Sequence, residues 1–177
     1  AADTVTVETG GSERARIDSS GRLLLGTTTE GSTYADEFTV ATSANCGITI
    51  RSGTSNDGNI FFSDGTSGDD ELRGYVQYSH ANNFMRFATD AAERVRIDSD
   101  GRVMIGNTNA STMSSSSDDL VIGNTTGDHG ITIITGNDSS GRIMFADTYT
   151  SGSGTYEGQI LYYHQNNVLN FYSNYTN

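Results

Sequence analysis

The chain has no proline, no tryptophan and no lysine, and among its 177 residues it has a single cysteine, Cys46. One thiol excludes an intrachain disulfide and every Cys-x-x-Cys zinc or redox spacing, and it says nothing about the compartment. Apolar material is scarce as well: Leu, Ile, Val and Phe together supply 34 of the 177 residues. Set beside 22 acidic and 10 basic side chains, a net charge of -12, that scarcity falls in the compositional range of disorder. Such a chain is either disordered or finds its core outside itself. No apolar run approaches the roughly 20 residues that span a bilayer, and Ala1-Ala2-Asp3 lacks the basic and apolar regions of a signal peptide, so a soluble chain with no membrane partner is expected. All ten basic residues are arginines interleaved with acids. Phosphates are held by clustered Lys and Arg, which argues against nucleic acid as a partner.

What is present is a repeat. Glu13-Arg14-Ala15-Arg16-Ile17-Asp18-Ser19-Ser20-Gly21-Arg22 returns 80 residues later as Glu93-Arg94-Val95-Arg96-Ile97-Asp98-Ser99-Asp100-Gly101-Arg102, and Leu23-Leu24-Leu25-Gly26 returns as Val103-Met104-Ile105-Gly106. Gly47-Ile48-Thr49-Ile50 matches Gly130-Ile131-Thr132-Ile133 at an offset of 83, and Tyr78, His80, Asn82, Asn83 and Phe87 match Tyr162, His164, Asn166, Asn167 and Phe171 at 84. The growing offset places insertions in the Ser/Thr/Gly-rich connectors, where surface loops tolerate them. The organisation read from this is the end of a preceding unit over 1–12, one unit over 13–92 and a second over 93–177. Val5 and Val7 match Met85 and Phe87, and a third Glu-Arg motif would fall just past Asn177, so a segment of a longer array is expected.

Each unit reads as short strands and tight turns. Around Asp18-Ser19-Ser20-Gly21 and its copy, alternating residues flank a turn with Gly where positive φ is needed, the pattern of a short hairpin closed by a Gly bulge. Asp138-Ser139-Ser140-Gly141 predicts a second hairpin between Ile131-Thr132-Ile133 and Ile143-Met144-Phe145. Ala81-Asn82-Asn83 predicts a third, because Asn tolerates left-handed backbone best after Gly. Phe38-Thr39-Val40 and Leu120-Val121-Ile122 read as lone strands between hairpins. No stretch has helical periodicity of useful length, so the class is all-β.

Alternation puts two or three apolar side chains per strand on one face, too little for strands this short to close a core within one chain. Period-80 units match neither the roughly 20 to 30 residue rungs of a solenoid nor the roughly 40-residue blades of a propeller. A parallel homotrimer, elongated along a common axis, pools the apolar faces and covers strand edges.

The string from Gly74-Tyr75-Val76-Gln77-Tyr78-Ser79-His80 through Phe84-Met85-Arg86-Phe87 and Glu93-Arg94-Val95-Arg96-Ile97-Asp98-Ser99-Asp100-Gly101-Arg102 to Gly106-Asn107-Thr108 resembles the repeats of bacteriophage tail fibre proteins. In that family such repeats commonly precede a C-terminal intramolecular chaperone domain of the endosialidase type. That domain and its autocleavage site are not in this sequence, and Arg22 and Arg102 stand where the family often has Asn. The resemblance implies an elongated homotrimeric fibre on the virion, outside the host cell. Its implied partners are other phage tail or baseplate proteins and a glycan or protein of the bacterial surface. Two other classes were weighed: a calcium-dependent bacterial surface adhesin or extracellular filament subunit, and a tailspike-type polysaccharide depolymerase.

The residues that could carry chemistry argue for structure. Asp69-Asp70-Glu71 and the Asn56-Asp57-Gly58-Asn59 turn offer carboxylates to Ca²⁺ or a glycosidase, but neither cluster is repeated in the other copy. His80 and His164 could converge on a metal at a three-fold axis; with Asn82 and Asn83 adjacent, a polar turn is the simpler reading. His129 stands where the other copy has Cys46, so neither is a nucleophile or ligand the repeat requires. No catalytic, cofactor or metal residue is assigned, and the chain is read as no enzyme. Six of the ten arginines lie in the two Glu-Arg-x-Arg-Ile-Asp hairpins, where Arg14, Arg16 and Asp18, with Arg94, Arg96 and Asp98, are expected to form an interchain ladder that sets register. Its competitor is a solvated charged face worth little. A glycan would stack on exposed aromatics of the connector, Tyr149 and Tyr156, against the plainer reading of ligand-free shaft loops.

Overall fold

The computed structural model describes residues 3–109, 111, 113–147 and 157–173. Over these residues the chain is all-β, with short strands β1 (Val5–Thr9), β2 (Ser12–Ile17), β3 (Leu23–Leu25), β4 (Phe38–Val40), β5 (Asp57–Phe62), β6 (Gly74–Ser79), β7 (Phe84–Thr89), β8 (Ala92–Ile97), β9 (Val103–Ile105), β10 (Leu120–Ile122), β11 (Ser140–Phe145), β12 (Gly158–Tyr163) and β13 (Val168–Ser173). The one helical piece among the described residues is a 3-10 turn, Gly68–Leu72, which carries Asp69, Asp70 and Glu71. No helix among them is long and apolar enough to cross a membrane.

The chain divides into two compact units, Ala1–Phe61 with Val76–Asn83, and Phe62–Tyr75 with Phe84–Asn177. In the first, strands run in the order β1-β2-β3-β4, antiparallel until the last pair, where β4 lies parallel to β3. The second contains the same arrangement one repeat later, β7-β8-β9-β10, again with a parallel final pair but as part of a six-stranded sheet, and a separate antiparallel sheet, β11-β12-β13.

Turn chemistry explains these hairpins. Asp18 N donates to Arg22 O and Gly21 N to Asp18 O, and Gly21 takes φ 83°, the left-handed backbone that its lack of Cβ permits. Asp98, Arg102 and Gly101 repeat this arrangement, with φ 85° at Gly101. Asn83 and Asn167 also enter the left-handed region, at 51° and 55°. A further two-residue turn was not read from the sequence. Gly10-Gly11 joins β1 to β2 and Asp90-Ala91 joins β7 to β8, with all four residues at positive φ, the geometry whose twist matches paired strands. Just beyond it, the register slips between Val7 and Glu8 and between Phe87 and Ala88. Arg14 and Arg94 are the extra residues of these bulges.

Two expectations are corrected. The second hairpin does not form: β11 pairs with β12, and Ile131-Thr132-Ile133 lies in no ladder. Ser140 and Gly141, expected in its turn, are instead the first residues of β11, because alternation marks a strand without saying which edge it meets. Likewise Asp57, Gly58 and Asn59 open β5, and the turn lies earlier, closed by Asn56 N on Gly53 O.

Candidate functional site

The registers place apolar residues in rows. In the first sheet Val5, Ile17, Leu23 and Phe38 stand directly opposite one another across four strands, and Val7, Ala15, Leu25 and Val40 form the next row on the same face. The β7–β10 sheet repeats this with Met85, Ile97, Val103 and Leu120, then Phe87, Val95, Ile105 and Ile122. On β11–β13 one face carries Ile143, Ile160 and Phe171 in a row, flanked by Phe145 and by Tyr162 with Leu169. Every residue in these rows of β1–β4 and β7–β10 is apolar, yet none of them is fully buried. Val5 is 63% exposed, Leu120 54% and Phe171 72%.

The opposite face of β1–β4 and of β7–β10 is ionic. There Thr6, Arg16, Leu24 and Thr39 align, as do Arg86, Arg96, Met104 and Val121, with Leu24 and Met104 fully buried. The bulges supply the counter-charge. Residues three apart face opposite ways on a regular strand, but the extra residue at Arg14 or Arg94 turns Glu13 or Glu93 onto the arginine face. Glu13 thus accepts both Nε and Nη2 of Arg16, and Glu93 takes the same fork from Arg96 at 2.7 and 2.8 Å and lies 3.5 Å from Arg86. Phe84 lies beneath the pair, with Arg96 Cζ 3.9 Å from its ring centre. Arg86 Cζ is 5.3 Å from the buried Tyr75 ring. The Arg16 hydrogen bond holds the Glu13 carboxyl below its usual range, and Glu13 and Glu93 raise Arg16 and Arg96 in return.

A second ionic cluster pins each Asp-Ser-x-Gly turn to the parallel strand. Asp18 Oδ1 accepts the backbone N–H of Ser20 and Arg22, its Oδ2 accepts Arg22 Nε at 2.8 Å, and Arg22 Nη1 reaches Asp36 at 2.9 Å just before β4. In the later copy Asp98 Oδ1 accepts Asp100 and Arg102 N–H at 3.0 Å, Oδ2 accepts Arg102 Nε at 2.7 Å, and Arg102 reaches the buried Asp118 at 3.1 Å. The Arg22 side-chain hydrogen bond, with those of the backbone, holds Asp18 below its usual carboxylate range. Burial pushes Asp98 up, but Arg102 and the two backbone donors together bring it below its usual range. Arg22 and Arg102 are both raised by their carboxylates.

Of the six residues expected in an interchain ladder, Arg16, Asp18, Arg96 and Asp98 therefore already have ionic partners within the chain. Arg14 and Arg94, both exposed, donate to the hydroxyls of Thr9 and Thr89 and have no carboxylate partner among the described residues. Tyr149 and Tyr156 lie outside the described residues. His80 and His164 stand edge-on to Tyr78 and Tyr162, whose hydroxyls reach Asn83 and Asn167 at 3.3 and 3.0 Å. Asp70 is held by Arg73, and Cys46 Sγ lies 3.3 Å from Val40 O. Among the described residues no three His, Cys, Asp or Glu side chains are placed to hold a metal ion. The signal that sequence reading missed was the bulge, which follows two matched turns of unlike residues, Gly10-Gly11 and Asp90-Ala91, that share positive φ. Compared with models of known protein families and with curated proteins, the sequence matches none.

Proposed function

We propose that the chain is a structural and adhesive segment of a bacteriophage tail fibre, a parallel homotrimer of tandem β-repeats in the virion's attachment apparatus. In this reading it works outside the cell with other tail or baseplate proteins, contacts a glycan or protein of the host surface, and performs no catalysis. The observation that carries the assembly part is the exposure of the two apolar rows on β1–β4 and on β7–β10, while Leu24 and Met104 are buried on the opposite faces. A sheet exposing two apolar rows is stable when another surface covers them, since contiguous apolar patches of this kind mark interaction sites. Covering them with the equivalent faces of other chains uses one solution for every repeat. The resemblance to tail fibre repeats supplies the trimer and the virion. Against the calcium-dependent reading, Asp70 is already engaged by Arg73, and Asp57 begins a strand.

Antibodies raised against the chain test the assignment by immunogold electron microscopy of phage particles and of uninfected bacteria. Label along the tail fibres is the expected result. Label confined to the bacterial surface would replace the fibre with an adhesin.

A further inference from the structure

Two extended stretches stand outside every ladder. Residues 47–52, Gly-Ile-Thr-Ile-Arg-Ser, and 130–135, Gly-Ile-Thr-Ile-Ile-Thr, occupy matched places 83 residues apart and have the alternation of a β-strand. Among the described residues neither makes a backbone hydrogen bond with the rest of the chain. Backbone donors and acceptors are obligatory hydrogen-bonding groups, and an apolar alternating strand without partners is an open template. Ile48 with Ile50, and Ile131 with Ile133, lie two apart on one side and are exposed, Ile131 at 68%.

Each stretch lies against a glycine of a neighbouring strand. A Cβ built on Gly58 of β5 would lie 3.5 Å from Ile50 Cγ2, and one on Gly141 of β11 would lie 3.4 Å from Ile133 Cγ2. Beside these glycines sits the second, independent sign. Ser52 Oγ and Thr135 Oγ1 are buried and have no hydrogen-bond partner among the described residues, at positions again 83 residues apart. Buried hydroxyls are almost always satisfied. The same orphan in both copies, each at the end of an unpaired strand, marks both stretches as lacking their final packing in the lone chain.

We infer that residues 47–52 and 130–135 are interchain strands, each adding to a sheet of a second copy of this chain. The spacing identifies the partner. Two repeat-equivalent stretches call for two repeat-equivalent edges, and this chain offers them: β4 and β10 end their sheets and begin at matched residues, Phe38 and Leu120. Strand addition takes its affinity from main-chain hydrogen bonds and its selectivity from alternate side chains, here the isoleucines. The inference rests on the self-assembly proposed above.

Hydrogen exchange read by mass spectrometry, on the same purified sample whose mass is measured by sedimentation, separates the possibilities. In an assembled chain, amides within 48–52 and 131–135 are expected to exchange at least about a hundredfold more slowly than in an unstructured peptide. Thr132→Pro, which removes a donor, is expected to weaken assembly at least about tenfold, while Thr132→Val, which keeps the donor and β-propensity, retains it. An oligomer in which both segments exchange at the unstructured rate overturns the inference and leaves self-assembly standing. A monomer overturns both.

Discussion

Replacing Asp98 tests whether the ionic clusters act inside one chain. Its carboxylate accepts two backbone N–H groups through Oδ1 and the Arg102 guanidinium through Oδ2, and Arg102 in turn reaches Asp118 ahead of the parallel strand β10. Asp98→Ala orphans both amides and leaves Arg102 with Asp100 and Asp118. Each lost bond costs on the order of 1 kcal/mol, so after allowance for partial solvent access the hairpin should lose roughly 2 kcal/mol. Asp98→Asn keeps an oxygen for the two amides and removes only the charge facing Arg102, so roughly half of that loss is expected. Thermal melting of the assembled chain, followed by circular dichroism, should rank the wild type above Asn and Asn above Ala. The pH dependence has a defined sign. A carboxyl held below its ordinary value of 3.8 contributes stability that is complete well above that pH and is lost as pH falls through the folded value. The gap between wild type and Asp98→Asn should therefore be constant near neutrality and close below about pH 4. Melting of Asp98→Ala equal to the wild type would refute the intrachain pin. So would an Asn variant as damaged as the Ala variant, since the backbone bonds would then not matter.

Ala91 holds φ 56° in the turn where the first copy has Gly11. Ala91→Gly should relieve about 1 kcal/mol of left-handed strain and raise the melting temperature, less the added freedom of the unfolded chain. Leu120 lies in an exposed apolar row opposite Val103. Leu120→Asp places a charge on the face that assembly covers, and sedimentation should show at least a tenfold weaker association, with β structure lost at a correspondingly higher chain concentration.

The turns were legible because their chemistry is local: Gly21, Gly101, Asn83 and Asn167 all take the left-handed backbone that their residue types allow. The lone strands Phe38–Val40 and Leu120–Ile122 were legible from apolar runs bounded by polar connectors, though not their parallel pairing, which depends on Arg22 and Arg102 reaching Asp36 and Asp118. Alternation identified the apolar residues of the sheet faces but placed Glu13 and Arg16 on opposite sides. The bulge that unites them was hidden because Asp90-Ala91 is an unusual pair for a turn with positive φ at both residues. The second hairpin failed for the opposite reason. Ile131-Thr132-Ile133 has the pattern of a strand, but among the described residues it pairs with no other strand.

That arithmetic of exposed and buried rows makes the mass of the purified chain in solution the most direct test. Sedimentation equilibrium over a range of concentrations should return three times the 18.9 kDa of one chain, with β structure lost as the assembly dissociates. A stably folded 18.9 kDa monomer in dilute solution would contradict the claim that this chain finds its core in its copies.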